Sequence, residues 1–191
     1  MKTSLGAKTA AYPTPVFAVG TYDTNGKPNV MAVAWGGVCC SNPPCIAVSV
    51  RKATYTYGNL IGRKAFKVSI PSVDYLQAAD YFGIASGRDV DKFAATGLIP
   101  VRSELVDAPY VDEFPLVLEC RVVNVAELGL HVQFVGEVQD VKVEENCLDK
   151  DGKLSAELLR PFSWAPIDNH YYALGERIGR GFTVGKAVGV K

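Results

Sequence analysis

The stretch LVLECRVVNVAELGLHVQFVGEVQDVKV, residues 116–143, decides the fold. Leu116, Leu118, Cys120 and Val122 alternate with outward-type residues, as one face of a half-buried strand does. After Gly129 the chain returns with Val132, Phe134 and Val138 on one parity, then Val141 and Val143 on the other. Side chains in a strand repeat every two residues, so such a slip requires one extra residue. A β-bulge is predicted near Gln139-Asp140, of the kind that bends a strand and curls a sheet toward closure.

Working outward, the first half carries the same signals. Val16 to Tyr22 is β-prone, Asp23-Thr24-Asn25-Gly26 supplies a turn with the favoured Asn-Gly step, and Asn29 to Trp35 returns. Gly36-Gly37 is expected to break that strand, and Ser41-Asn42-Pro43-Pro44 to turn the chain into a third one, Cys45 to Arg51. Thr54 or Thr56 can cap a short helix toward Lys64, and Ala65 to Ile70 reads as strand. Ser72 is a candidate cap for a helix through Phe82 with Leu76 and Ala79 on one face, and Asp89 for another through Phe93, closed by Gly97. Asp149 to Gly152 is a turn, and Ser155 to Arg160 a short helix ended by Pro161. The Gly- and aromatic-rich tail has no assignable pattern. Antiparallel-looking strands with few helices favour a closed barrel over a doubly wound sheet.

The 191 residues fit one domain, and a hydrophobic share of 48% supplies a core. Twenty Lys+Arg balance twenty Asp+Glu, so no charge excess points to nucleic acid or a membrane surface. Met1 to Ala11 builds no apolar signal segment and no run is long enough to span a bilayer, so a cytoplasmic, soluble protein without membrane or nucleic-acid partners is expected. Cys39, Cys40, Cys45, Cys120 and Cys147 lack Cys-x-x-Cys spacing, and the histidines are only His131 and His170. Buried packing cysteines, and no metal site, are the expectation.

Several segments combine residue types that suit a flat, phosphorylated ligand. Asn29, Met31, Val33, Ala34 and Trp35 lie in a run of small and larger residues ending in paired glycines, where an aromatic ring can approach a strand; an ordinary tightly packed core strand has the same pattern. Ser49, Arg51, Lys52, Tyr55 and Thr56 sit where a strand ends and a helix begins, so cations, hydroxyls and free helix N–H groups coincide, as phosphate binding needs. A solvated charge pair beside an ordinary cap is the alternative. Lys92 could reach a phosphate or a reduced ligand's negative charge, but the charge run it belongs to, Ser86 to Phe93, more often reads as the solvated face of a short helix. His131, just after a glycine turn, is a candidate proton donor or merely a hydrogen-bonded histidine at a hairpin end. Gly179-Arg180-Gly181 with Gly185 lacks the strand–turn–helix context of a dinucleotide loop.

Taken in order, these pieces resemble the flavin reductase-like, FMN-binding split-barrel family, and within it the flavoredoxins. The resemblance runs through Pro13-Thr14-Pro15, Gly26 to Met31, Ala34-Trp35-Gly36-Gly37, Cys39-Cys40-Ser41, Phe66 to Pro71, Ala79-Asp80-Tyr81, Ser86-Gly87, Asp91-Lys92-Phe93, Val106 to Pro109, Leu118-Glu119-Cys120 and Gly136-Glu137-Val138. It implies a mainly β fold, a six-stranded antiparallel Greek-key split barrel with short helical insertions, dimeric, spanning residues 1–191 as one domain with 146–191 as an extension on the barrel. It also implies one FMN per subunit. Met31 to Trp35 would line its ring, Arg51 and Thr56 would lead the phosphate site, and Lys92 and His131 would lie near the flavin, His131 as the candidate catalytic residue. Relatives often place Asp before that histidine; here it is Leu130, so an acidic partner for the imidazole is missing. The implied function is an FMN redox protein passing electrons between redox protein partners. The rival is a reductase taking NAD(P)H as reductant; a non-redox binding barrel would need a basic aromatic face that this balanced chain lacks.

Overall fold

The computed structural model describes residues 1–189. In chain order its strands are β1 (Thr14–Pro15), β2 (Phe17–Tyr22), β3 (Pro28–Val33), β4 (Gly36–Ser41), β5 (Pro44–Arg51), β6 (Ala65–Ile70), β7 (Pro100–Arg102), β8 (Pro109–Val111), β9 (Leu116–Leu128), β10 (His131–Val143), β11 (Phe162–Ala165) and β12 (His170–Ala173). The helices are α1 (Tyr55–Arg63), α2 (Leu76–Ile84), α3 (Lys92–Thr96) and α4 (Ala156–Leu159).

The main sheet has the order β3-β2-β6-β9-β10-β5-β4, antiparallel throughout. Its two edges, β3 and β4, are one run of chain interrupted by Ala34 and Trp35 alone. The Ser49 amide on β5 donates to the Trp35 carbonyl at 2.8 Å across that junction. The edges therefore meet, and counting β3 and β4 as one strand gives a closed six-stranded barrel. Gly36-Gly37 does not end the strand as expected: β3 stops at Val33, the bend falls at Ala34-Trp35, and the glycines open β4. A Cβ on Gly36 would stand 2.9 Å from both the Ala47 carbonyl oxygen and the Phe17 ring, so glycine permits the close approach that closes the barrel.

Closure shows in the core. Phe17, Val19, Val33, Ile46, Val48, Val50, Phe66, Val68, Cys120, Val132 and Phe134 come from six strands and form one buried cluster, with Leu60 of α1 closing one end. The β9–β10 ladder shifts register between Val138 and Asp140, where the parity slip predicted it, and again between Val135 and Gly136. Gly136 sits inside that second irregularity; a Cβ there would come within 2.5 Å of the Phe66 ring and 2.8 Å of the Cys120 Cβ.

A second apolar layer covers the outside of β2 and β3. Ala18 and Val30 pack with Phe82 of α2, Phe93 of α3, Val111 and Phe114. Two caps differ from the sequence expectation. Asp91, not Asp89, caps α3 by accepting from the Ala94 amide at 3.1 Å, because α3 starts only at Lys92. Ser72 precedes a 3₁₀ turn over Val73–Tyr75, its side chain caps nothing, and α2 begins at Leu76, which faces solvent while Ala79 is buried.

The tail forms the β11–β12 hairpin, which joins β1 in a small sheet. Phe162 packs with Val16 and Ala79, and the Tyr171 hydroxyl donates to Asp80 at 2.7 Å, tying the hairpin to α2. Among the described residues no helix is long and apolar enough to cross a membrane.

Candidate cofactor site

Strand β5 runs directly into α1, and the turn between them is tight. The Thr54 amide and hydroxyl donate to the Arg51 carbonyl at 3.0 and 2.8 Å, and Thr54 Oγ1 accepts from the Tyr57 amide at 3.3 Å. Thr54 is thus the cap, not Thr56. The amides of Tyr55 and Thr56, in the first turn, precede any helical acceptor, no acidic residue lies there, and the helix dipole adds positive potential.

Cations gather at this turn. The Arg51 side chain is exposed and makes neither an ion pair nor a hydrogen bond among the described residues. Arg88 arrives from the loop before α3: its guanidinium donates to the Ala53 carbonyl at 2.7 Å and lies 5.7 Å from the centre of the Tyr55 ring. Gly87 allows that approach, since a Cβ there would fall 2.1 Å from Asn29 Oδ1 and 2.8 Å from the Tyr55 ring. Lys52 is already engaged, pairing with Glu127 at 2.8 Å, which raises its pKa. Tyr55 donates to Asp23 at 2.8 Å.

Behind the turn, Asn29 Nδ2 donates to Thr56 Oγ1 at 3.0 Å, both residues being buried. This bond fixes β3 against the start of α1. Around the barrel, Ser49 faces Gln133 and Arg51 faces His131 across the β5–β10 ladder. Met31 packs on the barrel core, Val33 is buried within it, and Ala34 is half-buried at the bend. Trp35 is also half-buried and meets Trp164 of β11 edge-on, ring centres 6.0 Å apart.

Lys92 stands apart from the exposed cations. It is buried beside α2, and its ammonium donates to the Phe82 carbonyl at 2.8 Å. Burial pushes its pKa down to about 8, from an ordinary 10.5. The unfolded chain then binds more protons than the folded one between those values, so stability rises with pH through that window. Replacing Lys92 by Met removes this slope. Urea unfolding of both proteins at pH 7.5 and 9 checks it: the wild-type chain should gain stability relative to Lys92→Met as pH rises if the lysine is the cause.

The structure thus gathers Asn29, Ser49, Arg51, Tyr55, Thr56 and His131 around one strand–helix turn and its flanking ladder. It leaves Val33 with only its backbone to offer and holds Lys92 in the helical layer. Sequence reasoning missed Arg88, dismissed within a charge run; the tight Ser86-Gly87 step was the available signal for it. Cys39 and Cys40 are exposed, not the buried packing residues expected, because β4 presents them at the barrel's outer edge; Cys45, Cys120 and Cys147 are buried. Among the described residues no group of His, Cys, Asp or Glu is arranged to hold a metal ion.

Residues 9–160 match the flavin reductase like domain, and the chain belongs to that family. Within it, the fold is similar to flavoredoxin of Desulfovibrio vulgaris (Miyazaki F), with 54% identity and a TM-score of 0.93 over 97% of this chain and 100% of that one. It is also similar to flavoredoxin from Methanosarcina acetivorans, with 32% identity and a TM-score of 0.88 over 98% of each chain. A flavin reductase of Pseudomonas putida is 29% identical over 70% of this chain and 75% of its own.

Proposed function

We propose that this chain binds FMN and carries electrons through it between redox partners, as an oxidoreductase of the flavoredoxin kind. One observation carries the reading: Arg51, exposed and without a side-chain partner among the described residues, stands just before α1, and Arg88 reaches the Ala53 carbonyl of the same turn. Two guanidinium groups with the first amides of α1 form a donor set that fits a phosphate dianion. The similarity to two flavoredoxins supplies the cofactor class.

When bound, the flavin supplies the redox chemistry; the chain's residues hold, orient and shield it. Arg51, Arg88 and the start of α1 grip the phosphate. Asn29 and Thr56 fix that turn against β3. Ser49, with Met31, Ala34 and Trp35, offers the surface along which the ring would lie. Trp164 braces Trp35, restricting what docks beside it. His131, opposite Arg51 in the ladder, would serve that edge as a proton donor, and Lys92 would offset negative charge on the flavin.

A homodimer belongs to this reading. Arg51 and Lys52 are exposed, whereas cofactor sites usually enclose most of their ligand, so a second copy is the natural cover. Strand β9 beyond Arg121 pairs with β10 on one side only, and Val123, Val125 and Leu128 on it are exposed, together with Leu130 in the turn. An open apolar strand edge invites pairing.

The second reading, an NAD(P)H-dependent flavin reductase, is favoured by the Pseudomonas putida relative. Mixing the FMN-loaded protein anaerobically with NADPH or NADH separates the two. Electron carriage predicts that the oxidised flavin spectrum persists until dithionite is added; rapid bleaching by a nicotinamide establishes the reductase instead.

A further inference from the structure

Three cysteines cluster where β4 turns into β5, away from the residues assigned to the cofactor. Cys40 and Cys45 are directly opposed in the β4–β5 ladder, and Cys39 occupies the register shift beside them. Opposed residues of an antiparallel pair have Cα atoms about 4.5–5.5 Å apart with side chains on one face, within the span that a disulfide bridges. Burial, and after it the neighbouring cysteines, pushes the Cys45 thiol up. Cys40 is exposed and Cys45 buried, and every cysteine is free. An accessible thiol opposite a sheltered one is the arrangement of an attacking and a resolving sulfur.

We propose that Cys40 and Cys45 form a thiol–disulfide redox site that reacts with low-molecular-weight disulfides. The Cys40 thiolate attacks one sulfur of R–S–S–R, forming a mixed disulfide and releasing RS⁻. Cys45 loses its proton and attacks Cys40 Sγ, breaking the mixed disulfide and releasing the second RS⁻. The two cysteine protons end on the two released thiols. The cysteines give up two electrons, and the small disulfide takes them. Cys40 is exposed and Cys45 buried, so an incoming disulfide reaches Cys40 first. Because β4 continues directly from Trp35, closing the pair also stiffens the strand that follows the proposed ring-binding segment.

The test is to treat the full chain, as purified, with oxidised glutathione and measure its intact mass and peptide map without reduction. The expected result is loss of two hydrogen atoms, a Cys40–Cys45 cross-linked peptide, and reversal by dithiothreitol. Cys39→Ser should retain the loss. Cys40→Ser should prevent both adduct and cross-link, and Cys45→Ser should stop at a glutathione adduct on Cys40. Circular dichroism of each variant confirms that it is folded. An unchanged mass, a stable adduct on the wild-type chain, or a cross-link through Cys39 overturns the assignment.

Discussion

Replacing Arg51 by Ala is expected to weaken FMN binding roughly ten- to a hundred-fold while leaving riboflavin binding unchanged. Hydrogen bonds to a charged group contribute about 1.5–3 kcal/mol, and every 1.4 kcal/mol is about tenfold in affinity. Riboflavin lacks the phosphate, so it reports on the ring-binding surface alone. Arg51 is exposed, so added salt should narrow the FMN difference. The folded chain should unfold at an unchanged denaturant concentration, because Arg51 makes no side-chain bond among the described residues. Arg51→Lys should fall between, keeping the charge and losing the planar fork. Isothermal titration with the two flavins, and urea unfolding of each variant, measure all of this. An equal loss for both ligands would place Arg51 at the ring and not at the phosphate.

The second large effect concerns stability. Glu119 and Lys67 are fully buried on the outside of the barrel, paired at 3.4 Å. Ser103 bridges them, accepting from Lys67 Nζ at 2.7 Å and donating to Glu119, and Lys142 approaches the other carboxylate oxygen at 3.1 Å. Burial lowers the Lys67 pKa, and Glu119 opposes that shift. Glu119→Ala would strand the Lys67 charge in the interior, at a cost of about 3–5 kcal/mol. Removing both charges with Lys67→Met and Glu119→Leu should recover most of that loss, since a buried pair gains little over well-packed apolar groups. Urea unfolding of the single and double variants decides it. A loss below about 1 kcal/mol for the single variant would mean that the charge escapes to water.

Much of the barrel was legible because alternation is a local signal. The Asn25-Gly26 turn, the Thr54 cap as one of two candidates and the bulge near Gln139 each follow from neighbours in sequence. Closure was not legible. Gly36-Gly37 reads as a strand breaker, yet Gly36 is required by its contacts with Phe17 and Ala47, which are distant in sequence. The β11–β12 hairpin stayed hidden because Phe162 to Ala165 buries its ends and not alternate residues, packing on β1 and α2 instead of lining the barrel.

The site divided in the same way. Arg51 and its turn were visible because the strand end, the cations and the cap are contiguous. Arg88 was not, since only the fold carries its loop to the Ala53 carbonyl. Lys92 looked like a surface charge in an ionic run, but its buried contact with Phe82 gives it a different chemistry. Cys40 and Cys45 fit no metal spacing and drew no redox reading from sequence; their opposition across a ladder is a property of the hairpin register.

The central claim is that this chain holds FMN by its phosphate at the β5–α1 turn. A titration of the purified protein with FMN, followed by visible absorption and flavin fluorescence, tests it most directly. The account predicts saturation at one FMN per chain, a perturbed flavin spectrum, and displacement of the bound flavin when inorganic phosphate or salt is raised. FMN that keeps its free spectrum and full fluorescence in the presence of excess protein would contradict it.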